Sequence, residues 1–257
     1  MTARTGHGGD RGGDGELRRA GGILEVSELE VRHGLLNAVR GVSLAMEAGE
    51  TLALVGANGA GKSTLLRAIA GAQPRPSAGR VVFDGEDVTQ LRAHRRVRRG
   101  IALVPEGRHL FPSLTVEENL LVAGRPGHWN VERVIEAFPL LAERRRHRAA
   151  TLSGGERQAT AIGRALMCNP RLLLLDEVSL GLAPVAVDDV YRSLKTVIEG
   201  GTTVLLVEQD LTRALATAQR VMCMLEGRIV LEGAASDLTR EQVTEAYFGL
   251  ARNGGRA

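Results

Sequence analysis

The sequence predicts an α/β fold in which short apolar strands alternate with helices around a buried sheet. Two observations carry this prediction. The segments 51–55 and 172–175 are continuous apolar runs, as expected of strands covered on both faces. A third apolar run, 203–207, is followed by another helical pattern, so that strand and helix alternate along the chain.

The first hundred residues contain further strands and one helix of this alternation. Strands are predicted at 23–29, 39–46, 80–83 and 101–104, and a helix is predicted at 61–70. This helix follows the glycine-rich end of the run 51–55, which is the order of a strand, a loop and a helix.

Residues 107–155 differ in character and predict a helical subdomain inserted into the α/β core. Helical patterns at 116–123 and 131–141 are separated by Pro and Gly breaks. A basic run follows at 144–148, and a similar run precedes the subdomain at 92–99. We expect both basic runs to be solvated faces; the alternative for the run 92–99 is an approach to a membrane partner or to lipid headgroups.

Beyond residue 155 the alternation resumes and closes one domain over residues 23–250. The remaining predicted elements are helices at 156–167, 185–199 and 211–218, a hairpin of strands 221–225 and 228–231, and a helix near 236–248. We predict a disordered Gly- and Arg-rich tail at 1–22, which has almost no apolar residues to bury, and a flexible tail at 251–257.

The composition argues against a nucleic-acid-binding protein and against a membrane-spanning one. There are 33 basic and 30 acidic residues, and aromatic residues make up only 3%, which leaves few rings to stack on bases. No apolar run approaches the roughly 20 residues that cross a bilayer. The two cysteines lack metal-ligand spacing, so we expect free thiols in a cytosolic protein.

Residues 56–63, Gly-Ala-Asn-Gly-Ala-Gly-Lys-Ser, match the pattern G-x-x-x-x-G-K-[ST] of a phosphate-binding loop. They also follow a predicted strand and open a predicted helix, as this motif requires. Backbone amides of such a loop surround phosphate oxygens. Lys62 would reach the β- and γ-phosphates, and the hydroxyl of Ser63 would bind magnesium. The alternative is a glycine-rich turn with a chance lysine. We assign nucleotide contacts to Gly56, Ala57, Asn58, Gly59, Ala60, Gly61, Lys62, Ser63 and Thr64.

Asp176 and Glu177 directly follow the apolar strand 172–175. The carboxyl end of a buried parallel strand is where α/β sheets bind ligands. We therefore expect Asp176 to hold the magnesium ion and Glu177 to polarise the attacking water. Alone, an acidic pair at a strand end often marks only a solvated end; together with the phosphate-binding loop it indicates catalysis.

A second glycine-rich turn, Ser153–Glu156, precedes the predicted helix 156–167. A hydroxyl, free amides and a helix N-terminus again make an anion site. One nucleotide needs one phosphate-binding loop, so this turn needs a separate reason, and we interpret it as serving a nucleotide held by another chain. The alternative is a serine N-cap followed by flexible glycines.

The order and spacing of these three motifs resemble those of the ATP-binding subunits of ABC transporters, over nearly all of 23–250. The resemblance implies a P-loop NTPase (RecA-like) core with an antiparallel β subdomain and a helical signature subdomain. It implies ATP and Mg²⁺ as cofactors, and two such subunits packed head to tail. Each signature then closes on the partner's ATP, through Ser153, Gly154, Gly155 and Glu156 in this chain.

The same resemblance implies partners outside the ATPase pair. These are two membrane permease subunits, contacted at the cytoplasmic face of the cell membrane, and indirectly a periplasmic or lipid-anchored solute-binding protein. Phe111-Pro112 lies where ABC ATPases receive a helix of the membrane partner. The second ATPase is either a copy of this chain or a related subunit, and no nucleic acid is expected.

Three departures from the usual family pattern resemble the ATPases of high-affinity branched-chain amino acid importers. Glu106 replaces the usual glutamine, Gln209 the switch histidine and Ala183 the D-loop aspartate. Glu106 still offers an oxygen to magnesium, and Gln209 offers the γ-phosphate an amide donor that cannot become cationic. His33 stands where many members have an adenine-stacking tyrosine, and it is either a base contact or a surface histidine.

Four other functions stay open from the sequence. One alternative to a branched-chain or related amino acid as the transported solute is urea or a short-chain amide. The departures at Gln209, Ala183 and His33 also suit a weakly hydrolysing regulatory subunit, or one that does not hydrolyse ATP at all. A soluble ABC ATPase of DNA repair or translation is disfavoured because it usually carries paired cassettes or nucleic-acid-binding domains.

Overall fold

The computed structural model describes residues 22–250, which form two sheets surrounded by helices. The predicted tails lie outside the described residues, apart from Gly22. None of the helices within 22–250 is long and apolar enough to cross a membrane.

The central sheet has six strands in the order β10-β9-β3-β8-β7-β6. Neighbouring strands are parallel except for the edge pair β9 and β10. The strands are β3 (Thr51–Val55), β6 (Ile101–Val104), β7 (Leu172–Asp176), β8 (Thr203–Glu208), β9 (Arg220–Leu225) and β10 (Arg228–Ala234). Every residue of β3, β7 and β8 is buried, as their continuous apolar runs predict. Their carboxyl ends therefore meet at one edge of the sheet.

A smaller antiparallel sheet has the order β2-β1-β4-β5. Its strands are β1 (Leu24–His33), β2 (Leu36–Met46), β4 (Pro76–Phe83) and β5 (Glu86–Asp87). Alternate residues at the start of β1 are buried, and they pack with the first helix and the central sheet in one apolar cluster. The mixed parallel and antiparallel sheets confirm the predicted P-loop NTPase fold class.

Helices cover both the central sheet and the region between β6 and β7. They are α1 (Lys62–Ile69), α2 (Ala93–Arg99), α3 (Val116–Leu121), α4 (Val131–Ala137), α5 (Gly154–Leu166), α6 (Pro184–Glu199), α7 (Leu211–Thr217) and α8 (Arg240–Phe248). Capping boxes begin α3 at Thr115 and α5 at Ser153, where each hydroxyl accepts a backbone N–H and a glutamate side chain returns the bond. The caps fix where both helices start.

The predicted helix 131–141 is interrupted at Pro139. The α-helix ends at Ala137, and a short 3₁₀ turn follows over Pro139–Leu141. Proline has no N–H to donate to the preceding turn, so the α-helical hydrogen bonding cannot continue through this position.

The prediction of a solvated face at 92–99 is wrong for Arg96. This segment forms α2, and Arg96 is 1% exposed. Its guanidinium donates to the carbonyls of Ala68 and Ile69, at the C-terminus of α1, and to that of Thr89. Burial lowers the pKa of Arg96 to about 10, still above neutral pH. A buried cation thus caps the helix that carries the phosphate-binding loop.

Candidate nucleotide site

The loop 56–61 joins β3 to α1 and packs tightly against backbone on both sides. Gly56 has φ +150° and Gly61 has φ +105°, and a Cβ at either would lie 2.2 Å from a carbonyl oxygen, that of Met224 or that of Ala38. Because only glycine fits such contacts, these glycines set the path of the loop. The loop ends at the N-terminus of α1, where free amides favour a bound anion.

Lys62 is folded back over this loop. Its Nζ donates to the carbonyl oxygens of Gly56, at 2.8 Å, and Ala57, at 3.0 Å. The same Nζ lies 3.6 Å from Oε1 of Glu177, and the lysine side chain is 3% exposed. The charge is therefore held at the loop, with neutral carbonyl partners that a phosphate can replace.

Ser63 and Asp176 meet across the site. The Ser63 hydroxyl donates to Oδ1 of Asp176 at 2.7 Å, while the buried Oδ2 has no hydrogen-bond partner. Burial raises the pKa of Asp176, the hydrogen bond from Ser63 lowers it, and the charges of Glu177 and Glu106 raise it. A buried carboxylate oxygen without a donor is a group that a cation would satisfy.

These residues suit magnesium better than a cation held wholly by protein. Within residues 22–250 no group of three or more His, Cys, Asp and Glu side chains could hold a metal ion. Magnesium typically takes one or two carboxylates and completes its shell with waters and substrate phosphates. Ser63 and Asp176 are buried or half-buried, and Glu106 lies exposed nearby, so the site is open to a nucleotide on one side.

Glu177 is held between a cation and an amide. Nε2 of Gln209 donates to Oε2 of Glu177 at 2.7 Å, and Lys62 lies at the other carboxylate oxygen. The backbone of Glu177 has φ +49°, and its N–H donates to the carbonyl of Val207 in β8. A positive φ is uncommon for a residue with a side chain, and here the neighbouring strand fixes it.

Thr64 begins the side of α1 that faces His33. Nε2 of His33 lies 3.2 Å from Oγ1 of Thr64, and His33 is exposed at the end of β1. The strand runs four residues past the predicted 23–29, which brings the imidazole to the first turn of α1. This geometry is compatible with both sequence interpretations of His33, as a base contact and as a surface residue.

The signature Ser153–Glu156 forms the N-terminus of α5. The Ser153 hydroxyl accepts from the N–H of Glu156, and a Cβ at Gly155 would lie 2.9 Å from Cβ of Ala186. A Cβ at Gly154 would lie 3.0 Å from Cδ2 of Leu182. No hydrogen bond among residues 22–250 joins this segment to the loop 56–61. Within one chain, the two glycine-rich turns thus form separate structures.

Two polar residues beside the site were missed in the sequence. Arg108 donates to Oε1 of Gln158 at 2.8 Å and to the carbonyl of Leu180 at 3.1 Å, which ties α5 to the segment after Glu177. Glu208 ends the apolar strand β8 with its side chain 1% exposed. A charged residue at the end of a buried run was a usable signal for Glu208; Arg108 had none, because its contacts are distant in sequence.

Replacing Asp176 with Asn should stabilise the nucleotide-free protein while weakening magnesium-dependent nucleotide binding. The change removes a buried charge and its repulsion from Glu177, which we expect to raise the free energy of unfolding by about 1 kcal/mol, or Tm by about 2–4 °C in a chain of this size. Differential scanning fluorimetry with and without MgATP measures both effects. A lower Tm without nucleotide would contradict this account of Asp176.

Comparisons with known proteins place this geometry in a family. A model of the ABC transporter family matches residues 39–179. The chain is 42% identical to the high-affinity branched-chain amino acid transport ATP-binding protein BraG of Pseudomonas aeruginosa, over 88% of this chain and 100% of BraG. It is 32% identical to the lipopolysaccharide export system ATP-binding protein LptB of Escherichia coli K12, over 82% of this chain and 90% of LptB.

A solved structure shows the same fold. The dimeric ATP-binding cassette MJ0796, bound to ADP and phosphate after hydrolysis, superimposes with a TM-score of 0.73 at 26% identity, over 83% of this chain and 99% of MJ0796. The predicted family is thereby confirmed. The chain belongs to the ABC transporter family as an ATP-binding subunit, an ATPase coupled to transport.

Proposed function

We propose that this chain powers the import of branched-chain or related amino acids through separate membrane subunits. The observation that carries the ATPase part of the proposal is the convergence of Lys62, Glu177 and Gln209 beside the phosphate-binding loop, at 3.6 Å and 2.7 Å around one carboxylate. The similarity to BraG supports the amino acid substrate. The similarity to LptB supports the ATPase assignment but not the direction of transport.

In this proposal the phosphates of ATP bind to the loop 56–63. Lys62 leaves the carbonyls of Gly56 and Ala57 and binds the β- and γ-phosphates. Ser63, Asp176 and Glu106 would hold Mg²⁺, which neutralises charge on the phosphate oxygens when bound.

Glu177 and Gln209 carry out the chemistry of water attack. The Glu177 carboxylate orients the attacking water and accepts its proton. Gln209, already hydrogen-bonded to Glu177, donates an amide N–H to the γ-phosphate. Because Gln209 stays neutral, its stabilisation of developing charge is weaker than that of a protonated histidine.

A second ATPase completes each nucleotide site. Ser153, Gly154, Gly155 and Glu156 bind the γ-phosphate of the ATP on the partner, which is a copy of this chain or a related subunit. The helix N-terminus that Ser153 caps at the start of α5 supports this role, because such ends favour bound anions. We propose that residues 107–155 form the helical subdomain that presents the signature. Dimer closure then drives the rearrangement of the permeases, since ATP contacts both chains only in the closed state.

The surface around Phe111 suits the membrane partner. Phe111 is 48% exposed beside Arg164, whose guanidinium lies 5.7 Å from the ring. The buried side chain of Asn119 holds this loop, accepting from the N–H of Phe111 at 2.9 Å and donating to its carbonyl at 3.1 Å. A fixed, exposed aromatic ring is typical of a protein–protein anchor, so we propose that the permeases dock here, at the cytoplasmic face of the membrane.

The substrate is tested by uptake in cells that lack this chain. We expect uptake of radiolabelled leucine, isoleucine or valine to fall and to be restored by the wild-type chain but not by the Glu177→Gln variant. Unchanged amino acid uptake would contradict the proposal. Loss of urea or acetamide uptake instead would favour the alternative importer. Normal complementation by Glu177→Gln would favour a regulatory subunit.

A further inference from the structure

Glu208 is a buried glutamate that takes no part in the reaction proposed above. It ends β8, and its side chain is 1% exposed. Oε2 accepts from the Ser179 hydroxyl at 2.9 Å and from the N–H of Gln209 at 3.2 Å, and Oε1 accepts from the Tyr191 hydroxyl. Three donors therefore satisfy the two buried side-chain oxygens, which would be costly to leave without partners.

These donors come from three parts of the fold that meet beside Glu177 and Gln209. Ser179 lies two residues beyond Glu177, and Gln209 is the residue that hydrogen-bonds to Glu177. Tyr191 lies in α6, the helix that follows the Glu177 segment. Since the N–H of Glu177 also donates to Val207 in β8, the segment is fastened to the end of β8 on both sides of Val178.

The donor Tyr191 is itself held by its surroundings. Arg213 lies over the Tyr191 ring at 5.4 Å and pairs with Asp188 and Asp210. Burial, together with the negative charge of Glu208, raises the pKa of Tyr191, which therefore stays protonated and donates. The carboxylate is thus held in one orientation rather than exchanging partners.

We propose that Glu208 is a positioning residue for ATP hydrolysis. It keeps the segment 177–179 in register with residues 208–209, so that the carboxylate of Glu177 and the amide of Gln209 face the γ-phosphate together. This inference rests on the roles proposed for Glu177 and Gln209. Because Glu208 is buried and its oxygens accept from groups of this chain, we expect its effect on turnover and not on nucleotide binding.

The test uses the whole transporter, purified from native membranes through a tag on this chain. We expect Glu208→Gln to lower kcat for ATP by about tenfold, because small displacements of reacting groups are costly, and to change KM by less than about twofold. Ser179→Ala should reproduce this split. The double variant should lose no more than the larger single loss, because both changes break the same fastening.

A matched control removes a hydrogen-bonded carboxylate remote from the site. Glu50, just before β3, is 15% exposed and accepts from Arg220 at 2.8 Å. Glu50→Gln should lower Tm without lowering kcat. If Glu208→Gln lowers kcat although its Tm falls no further than that of Glu50→Gln, the kcat loss reflects positioning and not lost stability. Unchanged kcat, or a loss confined to KM, would overturn the proposal for Glu208.

The Glu177→Gln transporter gives the background from any second ATPase. Wild-type turnover in Glu177→Gln would overturn the assignment of Glu177 and, with it, the role of Glu208. Loss of turnover in Glu177→Gln with a normal Glu208→Gln would overturn the role of Glu208 alone. The two failures are therefore distinguishable in one set of assays.

Discussion

Replacing Glu177 with Gln is expected to lower ATP turnover by roughly 100-fold or more while ATP still binds. The amide has nearly the same shape but cannot accept the proton of the attacking water. Gln209 can still hydrogen-bond to the side-chain oxygen at this position. In the proposed mechanism the dimer opens only after hydrolysis, so the variant should accumulate as a closed, ATP-bound dimer. Phosphate release and native mass spectrometry measure both outcomes.

The control for this change is Glu199→Gln, at the C-terminus of α6. Glu199 lies 3.8 Å from Lys195, and both side chains are exposed. Removing such a surface ion pair costs little, so its turnover should match the wild type. Wild-type turnover in Glu177→Gln would contradict the role assigned to Glu177.

Replacing Lys62 with Met is expected to weaken ATP binding and turnover by roughly 100-fold, because the variant loses the cation that we propose binds the β- and γ-phosphates. The buried side chain is otherwise well accommodated, since methionine retains most of the apolar stem. The structure gives this variant a second expected effect: Glu177 loses the cation 3.6 Å from its Oε1. Fluorescent-nucleotide titration and phosphate release measure the losses.

Lys195 offers a matched control for Lys62, as the one other lysine of the sequence. It is exposed on α6, and Lys195→Met should leave ATP binding unchanged. ATP affinity in Lys62→Met equal to that in the control variant would show that the loop 56–63 does not bind the phosphates as described.

The strands of the central sheet could be predicted because their sequence is unambiguous. β3, β7 and β8 are fully buried, so each is an apolar run with few alternatives. α2 was missed because its pattern is dominated by arginines, and the burial of Arg96 depends on carbonyls of α1 that are 27 and 28 residues away. Arginine is usually exposed, so sequence reasoning assigned it to the surface.

The residues of the site that belong to short motifs could likewise be predicted from the sequence, whereas contacts between distant segments could not. Lys62, Ser63, Asp176 and Glu177 belong to compact motifs, whose chemistry depends on neighbours in sequence. The hydrogen bond of Gln209 to Glu177 spans 32 residues, and only the parallel pairing of β7 and β8 places the two side chains together. The contact of Glu208 with Ser179 likewise depends on this pairing.

The signature Ser153–Glu156 was the feature that the sequence alone could not explain within one chain. The structure gives it a fixed helix N-terminus without a hydrogen bond to the loop 56–61 among residues 22–250. A helix N-terminus that lies apart from its own chain's nucleotide loop fits the proposal that it binds a partner's phosphate. The central claim is therefore that each ATP is held by two chains.

The most direct test is a structure of the Glu177→Gln transporter with ATP and Mg²⁺. We predict that the γ-phosphate lies between Lys62 of one ATPase and the signature of the other, with Ser153 or its counterpart within hydrogen-bond distance. The metal should contact Ser63, and Asp176 should lie beside it. The account would be contradicted by a structure in which ATP is bound to this chain without any contact from a second ATPase, provided that the same Glu177→Gln sample shows no phosphate release.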